Sequence, residues 1–160
     1  MKKEKLYLIC PDCHIEQPIR QKINNDAYFL TALGSVFDIS EFEYAEEVNQ
    51  IINNEIISEI VIVNDIHCTF ITNTVHKDKN HETKAEKVLE KLMENNSIEF
   101  KPFKLNQQKN HLAKLNIYRQ AYDLLEVAFI GNKIRDRIIK ISGLIYNRED
   151  ENFEKLDLKL

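Results

Sequence analysis

Glycine is scarce: Gly34, Gly131 and Gly143 are the only three in 160 residues. None falls in a GxGxxG or GxxxxGK[ST] pattern, so a backbone cradle for nucleotide phosphates is not expected. Long hydrophobic runs are also lacking. No stretch approaches the roughly 20 apolar residues that cross a bilayer, so no membrane partner is expected. The opening Met1-Lys2-Lys3-Glu4-Lys5 is basic, but the apolar run Leu6-Tyr7-Leu8-Ile9 behind it is too short for a signal-peptide core, and no small-residue cleavage site follows. A cytoplasmic location is expected. There is no excess of positive charge: 22 basic against 26 acidic residues give a net charge of -4 and a pI near 5.8. Nucleic acid is therefore not an expected partner. Cysteine occurs three times, and an odd number cannot form a fully paired framework. In a reducing compartment such residues are thiols or metal ligands.

The stretch that organises the chain is Glu59-Ile60-Val61-Ile62-Val63-Asn64-Asp65-Ile66-His67-Cys68. Four consecutive aliphatic residues, three of them β-branched, read as a strand buried on both faces. Leu6-Tyr7-Leu8-Ile9 has the same grammar and runs into Cys10-Pro11-Asp12-Cys13-His14. In open parallel sheets, ligands bind beyond the carboxyl ends of strands. If these two strands are neighbours, Cys10 and Cys68 meet there, with Asp12, Asp65 and His67 at hand.

The remaining pattern is that of a single α/β domain spanning residues 1–160, with about five strands and no repeat or linker. Strands are expected over 5–10, 26–32, 59–64, 141–146 and 153–158. Helices are expected over 41–54, 82–95 and 107–130, with short helical or turn segments over 15–24, 69–75 and 132–140. Pro18 argues against a long helix from Ile15. Residues 100–105 read as a loop or an edge strand around Pro102. In 107–130 the stripe is Leu112, Leu115, Tyr118, Tyr122, Leu125 and Phe129, and Gly131 stands where a helix cap is expected. The charges of 82–95 read as a solvated face. His76, His81 and His111 lie in polar segments and are expected to face solvent.

These residues carry a resemblance. Cys10-Pro11-Asp12-Cys13-His14 is similar to the Cys-x-Asp-x-Arg segment that follows the first strand of the β-class carbonic anhydrases. Asp65-Ile66-His67-Cys68 resembles their later His-x-x-Cys. Between them, Asn25-Asp26-Ala27-Tyr28-Phe29-Leu30-Thr31-Ala32-Leu33-Gly34 resembles the family's Gly-Asp-Ala strand ending in an Ala-Gly turn. Arg119 in a long helix, then Ile141-Ser142-Gly143-Leu144-Ile145-Tyr146-Asn147 and a last strand, follow its closing hairpin. The resemblance covers most of residues 5–158. It implies a central, mostly parallel β-sheet flanked by helices. It also implies zinc as cofactor, carbon dioxide and bicarbonate as substrates, and a homodimer. The chain departs from the family at four places. Asp65 stands for the zinc-binding His, His14 for the Arg that pairs with the dyad Asp, Thr69 for a Gly and Thr31 for an Arg. The N-terminal helices that wrap a partner subunit have no counterpart before the first strand.

Carried over position by position, Cys10, Asp65 and Cys68 are the expected metal ligands. Asp12, which orients the reacting water, and His14 are the expected catalytic pair. A carboxylate in place of a neutral imidazole adds about one negative charge to the metal site, which weakens activation of the bound water. Two other donors compete with Asp65. His67 is one, although neighbours in an extended chain point different ways. Cys13 is the other, because Cys10-x-x-Cys13 has zinc-knuckle spacing. Three functions follow: weak or lost hydration of carbon dioxide; a non-catalytic zinc-containing binding or oligomerisation module; or thiol redox chemistry at Cys10 and Cys13. The last is disfavoured because no clean amphipathic helix starts at the thiol.

Overall fold

The aliphatic run at residues 60–63 forms the middle of β3, Ile57–Asp65, whose residues from Ile60 to Asp65 are all buried. A strand can hide both faces only at the centre of a sheet covered on both sides. The computed structural model describes residues 3–24, 26–38, 42–78 and 83–160. Among them, one sheet is built from β1 (Glu4–Ile9), β2 (Tyr28–Thr31), β3, β4 (Lys140–Asn147) and β5 (Asn152–Leu156). The strand order is β2-β1-β3-β4-β5. All neighbours are parallel except β5, which turns back antiparallel on β4. This is the expected α/β architecture, with a mostly parallel sheet flanked by helices.

The helices are α1 (Glu16–Lys22), α2 (Phe42–Asn54), α3 (Thr69–His76), α4 (Lys84–Asn95), α5 (Ser97–Phe100), α6 (Leu105–Glu126) and α7 (Ala128–Arg135). Two single 3-10 turns, Pro11–Cys13 and Leu33–Ser35, follow β1 and β2. α6 packs across β3 and β4 and against α3 and α4. The starts expected for α2 and α4, residues 41 and 82, lie outside the described residues, as do Asn25 and His81.

Of the loop or edge strand expected over 100–105, the loop is found: residues 101–104 are turn and irregular chain, between the helical turn at Ser97–Phe100, where Phe100 is buried, and α6. Three local readings change. The long helix ends at Glu126, where Val127 is extended, and Gly131 lies inside α7 instead of capping α6. A Cβ on Gly131 would come 2.0 Å from the Leu125 carbonyl oxygen. The glycine therefore serves the close approach of two helix ends. The buried face of α6 is Leu112, Ala113, Asn116, Ile117, Gln120, Ala121 and Leu124, while Tyr122 is 54% exposed. Asn116 and Gln120 sit in the core because each finds partners there, as described below. Finally, His111 is not a free surface imidazole. It packs against the rings of Phe100 and Phe103, and its Nε2 lies 2.7 Å from Glu99.

Candidate metal centre

In the order β2-β1-β3, the chain leaves β1 to one side and reaches β3 on the other. The crevice between the carboxyl ends of β1 and β3 is thus a topological switch point, where ligands bind in open α/β sheets. Cys10 follows β1 directly. Pro11 then sits at the first position of the 3-10 turn, for which its fixed φ is suited. The tight turn, closed by the Cys13 amide on the Cys10 carbonyl at 3.2 Å, folds Cys13 back beside Cys10. On the other side Cys68 caps α3, and its amide donates to the Asp65 carbonyl at 3.0 Å.

The result is a group of three sulfurs. The Sγ atoms of Cys10, Cys13 and Cys68 all lie within 4.8 Å of one another, and all three residues are buried. None is in a disulfide. Three thiols at this distance share their protons. The Cys10 thiol is pushed down, because Cys13 and Cys68 turn their S–H groups toward it and the amides of Asp12 and Gly34 add to them against the cost of burial. Its Sγ accepts the Gly34 N–H at 3.2 Å. Cys13 and Cys68 are pushed up, first by donating to Cys10.

The Gly34 amide is itself fixed. Gly34 is in the left-handed region at φ 64°. Its carbonyl accepts the Asn116 and Asn64 side-chain amides at 3.1 and 3.4 Å. Asn116 also donates to Asn64 Oδ1 at 2.8 Å, and Gln120 Oε1 accepts the Phe37 amide at 2.9 Å. Asn64, Asn116 and Gln120 are buried, so each needs such partners.

Asp65 is not one of the sulfur group. It is buried, and its Oδ2 takes both Nε and Nη2 of Arg148 at 2.7 Å. Its Oδ1 accepts the His67 amide at 2.8 Å. The His67 imidazole points to Glu149, with Nε2 and Oε1 3.6 Å apart. Asp12 and His14 are both exposed. His14 closes the 3-10 turn at φ 50°, and among the described residues no hydrogen bond or ion pair joins it to Asp12. Arg148 falls between the strands expected over 141–146 and 153–158, and no motif singles it out. It lies 83 residues from Asp65, and only the β3–β4 pairing, which sets Asp65 opposite Tyr146, brings the two together.

No family model and no curated protein sequence matches this chain. Solved structures do. The β-carbonic anhydrase CafA of Aspergillus fumigatus superposes with a TM-score of 0.82 at 17% identity, over 99% of this chain and 77% of that one. The fold is that of the β-carbonic anhydrases. A tetrameric β-carbonic anhydrase of Sordaria macrospora gives a TM-score of 0.79 at 12% identity, over 96% of this chain and 80% of that one. The Coccomyxa β-carbonic anhydrase in complex with acetazolamide gives 0.75 at 10% identity, over 96% and 72%. The β-carbonic anhydrase fold is thus present almost end to end, at 10–17% identity to these enzymes. The three-cysteine group stands at the β1/β3 switch point of that fold.

Proposed function

We propose that this chain is a zinc protein of β-carbonic anhydrase fold that holds the metal on Cys10, Cys13 and Cys68 and hydrates carbon dioxide slowly at neutral pH. The observation that carries the reading is the buried sulfur triad at the switch point. Zinc–thiolate bonds of about 2.3 Å in a tetrahedron set neighbouring sulfurs about 4 Å apart. The triad has that scale, and its donors are of the soft type that zinc prefers. With three protein ligands, a bound zinc would need a fourth from water or substrate, as catalytic zinc sites do.

When bound, zinc supplies the Lewis acidity that makes water nucleophilic near neutral pH. The residues of the chain do the rest. Asp12, exposed in the turn between two of the cysteines, would be the residue to accept a hydrogen bond from the reacting water and orient it. His14, two residues on and also exposed, would be its catalytic partner. Three thiolates on a divalent cation leave about one net negative charge, against none for two thiolates and an imidazole. That excess raises the pH at which water ionises, so activity at pH 7 is low and climbs with pH. Asp65, committed to Arg148 and the His67 amide, stays off the metal in this reading. For the assembly we propose a homodimer; the Sordaria relatives are described as tetrameric.

The test is metal content and carbon dioxide hydration measured on one purified sample. About one zinc per 18.9 kDa chain is expected, with activity rising from pH 7 to 9. Cys13→Ser should weaken zinc binding at least tenfold, about 1.4 kcal/mol or more, and Asp65→Asn should leave it in place. Zinc kept by Cys13→Ser and lost from Asp65→Asn would return the third ligand to Asp65. A metal-free protein would sink the reading.

A further inference from the structure

We propose that Arg148 is the anion-holding residue of this site, presenting one edge of its guanidinium to a planar oxyanion of the bicarbonate class. This rests on the reading above for the identity of the substrate. The geometry comes from elsewhere in the chain.

A guanidinium offers five N–H groups in a rigid fork, matched to two oxygens of a carboxylate-like anion. In Arg148 the side edge is spent: Nε and Nη2 both reach Asp65 Oδ2 at 2.7 Å. Asp65 is itself immovable, because its side chain is fully buried and its second oxygen holds the His67 amide. The arginine is therefore oriented by a fixed carboxylate, and its end edge, Nη1 with the second N–H of Nη2, has no partner among the described residues. The Arg148 side chain is 43% exposed.

The residue that anchors Arg148 is tied to the sulfur group through the backbone: the Asp65 carbonyl accepts the Cys68 amide at 3.0 Å. The charge of Arg148 couples to Cys13 and Cys68 as well as to Asp65. A positive side chain beside a site with excess negative charge draws in anions that the site alone would repel. Three acidic residues follow Arg148 in the hairpin turn, but they do not cancel this. Glu149 and Glu151 have side chains 68% and 70% exposed, where water and salt screen them. Glu151 also takes Lys22, and Glu149 faces His67. Arg148 alone among these turns inward to a buried partner.

An anion seated on Arg148 would neutralise none of the charge on Asp65, which already has its counter-ion. The fork would fix the orientation of two of the anion's oxygens. This is a positioning role for the anionic substrate or product, and it has a readout apart from turnover.

The experiment uses the full chain loaded to one zinc, titrated with 13C-labelled bicarbonate and followed by its NMR line width at constant ionic strength. Wild type should show saturable binding. Arg148→Ala, at equal zinc content, should bind at least tenfold more weakly. Arg148→Lys should also lose affinity, because it keeps the charge and loses the fork, and Asp65→Asn should lose affinity by releasing the arginine. Equal bicarbonate affinity in wild type and Arg148→Ala would overturn the proposal, as would a wild type with no saturable binding. Should Arg148→Ala not fold, Arg148→Lys decides in the same way. The two readings fail separately. A protein that binds bicarbonate through Arg148 without hydrating carbon dioxide overturns the reaction and keeps the anion site. Turnover with an unchanged KM for bicarbonate in the dehydration direction in Arg148→Ala overturns the anion site and keeps the reaction.

Discussion

Gly143 shows how closely single atoms set this structure. It lies on β4 between β3 and β5, under α6. A Cβ there would stand 2.7 Å from Ile117 Cγ2 and 3.3 Å from Leu156 Cβ. The helix has settled onto the sheet in the space of one missing methyl group. Gly143→Ala should therefore destabilise by about 1–3 kcal/mol, the ordinary cost of overpacking, as read by urea denaturation. Combining it with Ile117→Ala should recover part of that loss, since the clashing methyl is gone, and a purely additive double mutant would show that the contact is not the cause. The same scale explains what sequence reading could reach at the site. Cys10 and Cys68 each end an apolar run, so their meeting follows once β1 and β3 are neighbours. The inward turn of Cys13 depends on one 3-10 turn set by Pro11, and the spacing Cys10-x-x-Cys13 was its only trace. Arg148 left no local trace at all, because its partner Asp65 is reached through strand pairing and not through spacing.

At the scale of elements, α6 joins the core to the metal centre. Its inner face carries Asn116 and Gln120 among Leu112, Ala113, Ile117, Ala121 and Leu124. An apolar stripe was the sequence expectation, and it fell about one residue off, because the two amides looked like surface positions. Periodicity sees polarity and cannot see a buried partner. Here Asn116 donates to both Gly34 O and Asn64 Oδ1, tying α6 to β3 and to the turn after β2. Asn116→Leu removes both donations: the Gly34 carbonyl keeps Asn64 as donor, while the buried Asn64 Oδ1 loses its partner. It should cost about 1–3 kcal/mol by the penalty for an unsatisfied buried group. Because the Gly34 amide also supports Cys10 Sγ, the variant should bind zinc more weakly than wild type, measured by competition with a chelator under conditions where both remain folded. A loss of stability with unchanged zinc affinity would separate the amide network from the centre.

At the scale of the whole molecule, β1, β3 and β4 were legible because each is a short apolar run bounded by polar residues, and a mostly parallel sheet follows from helices between them. What no run of residues reveals is which sheet edge is left for another chain. The two edges here differ. β5 presents Asn152, Glu154 and Lys155 to solvent, and charges of this kind guard a strand edge. β2, on the far side, is Tyr28-Phe29-Leu30-Thr31, with no charge of its own. Its Tyr28 is 37% exposed, and Leu33 in the turn behind it is 46% exposed. An apolar, uncharged edge strand is a pairing surface unless something covers it. A second copy of the same chain is the occupant that suits it, and that contact would border the Gly34 turn and hence the cysteine group. We therefore expect a sedimentation mass of twice 18.9 kDa at micromolar concentration. Leu33→Glu should shift that mass toward the single chain by placing a charge in the contact, while Glu154→Leu on the opposite edge should not. A wild-type mass of one chain across the micromolar range, or a Leu33→Glu protein that stays dimeric, would remove β2 and its turn from the interface.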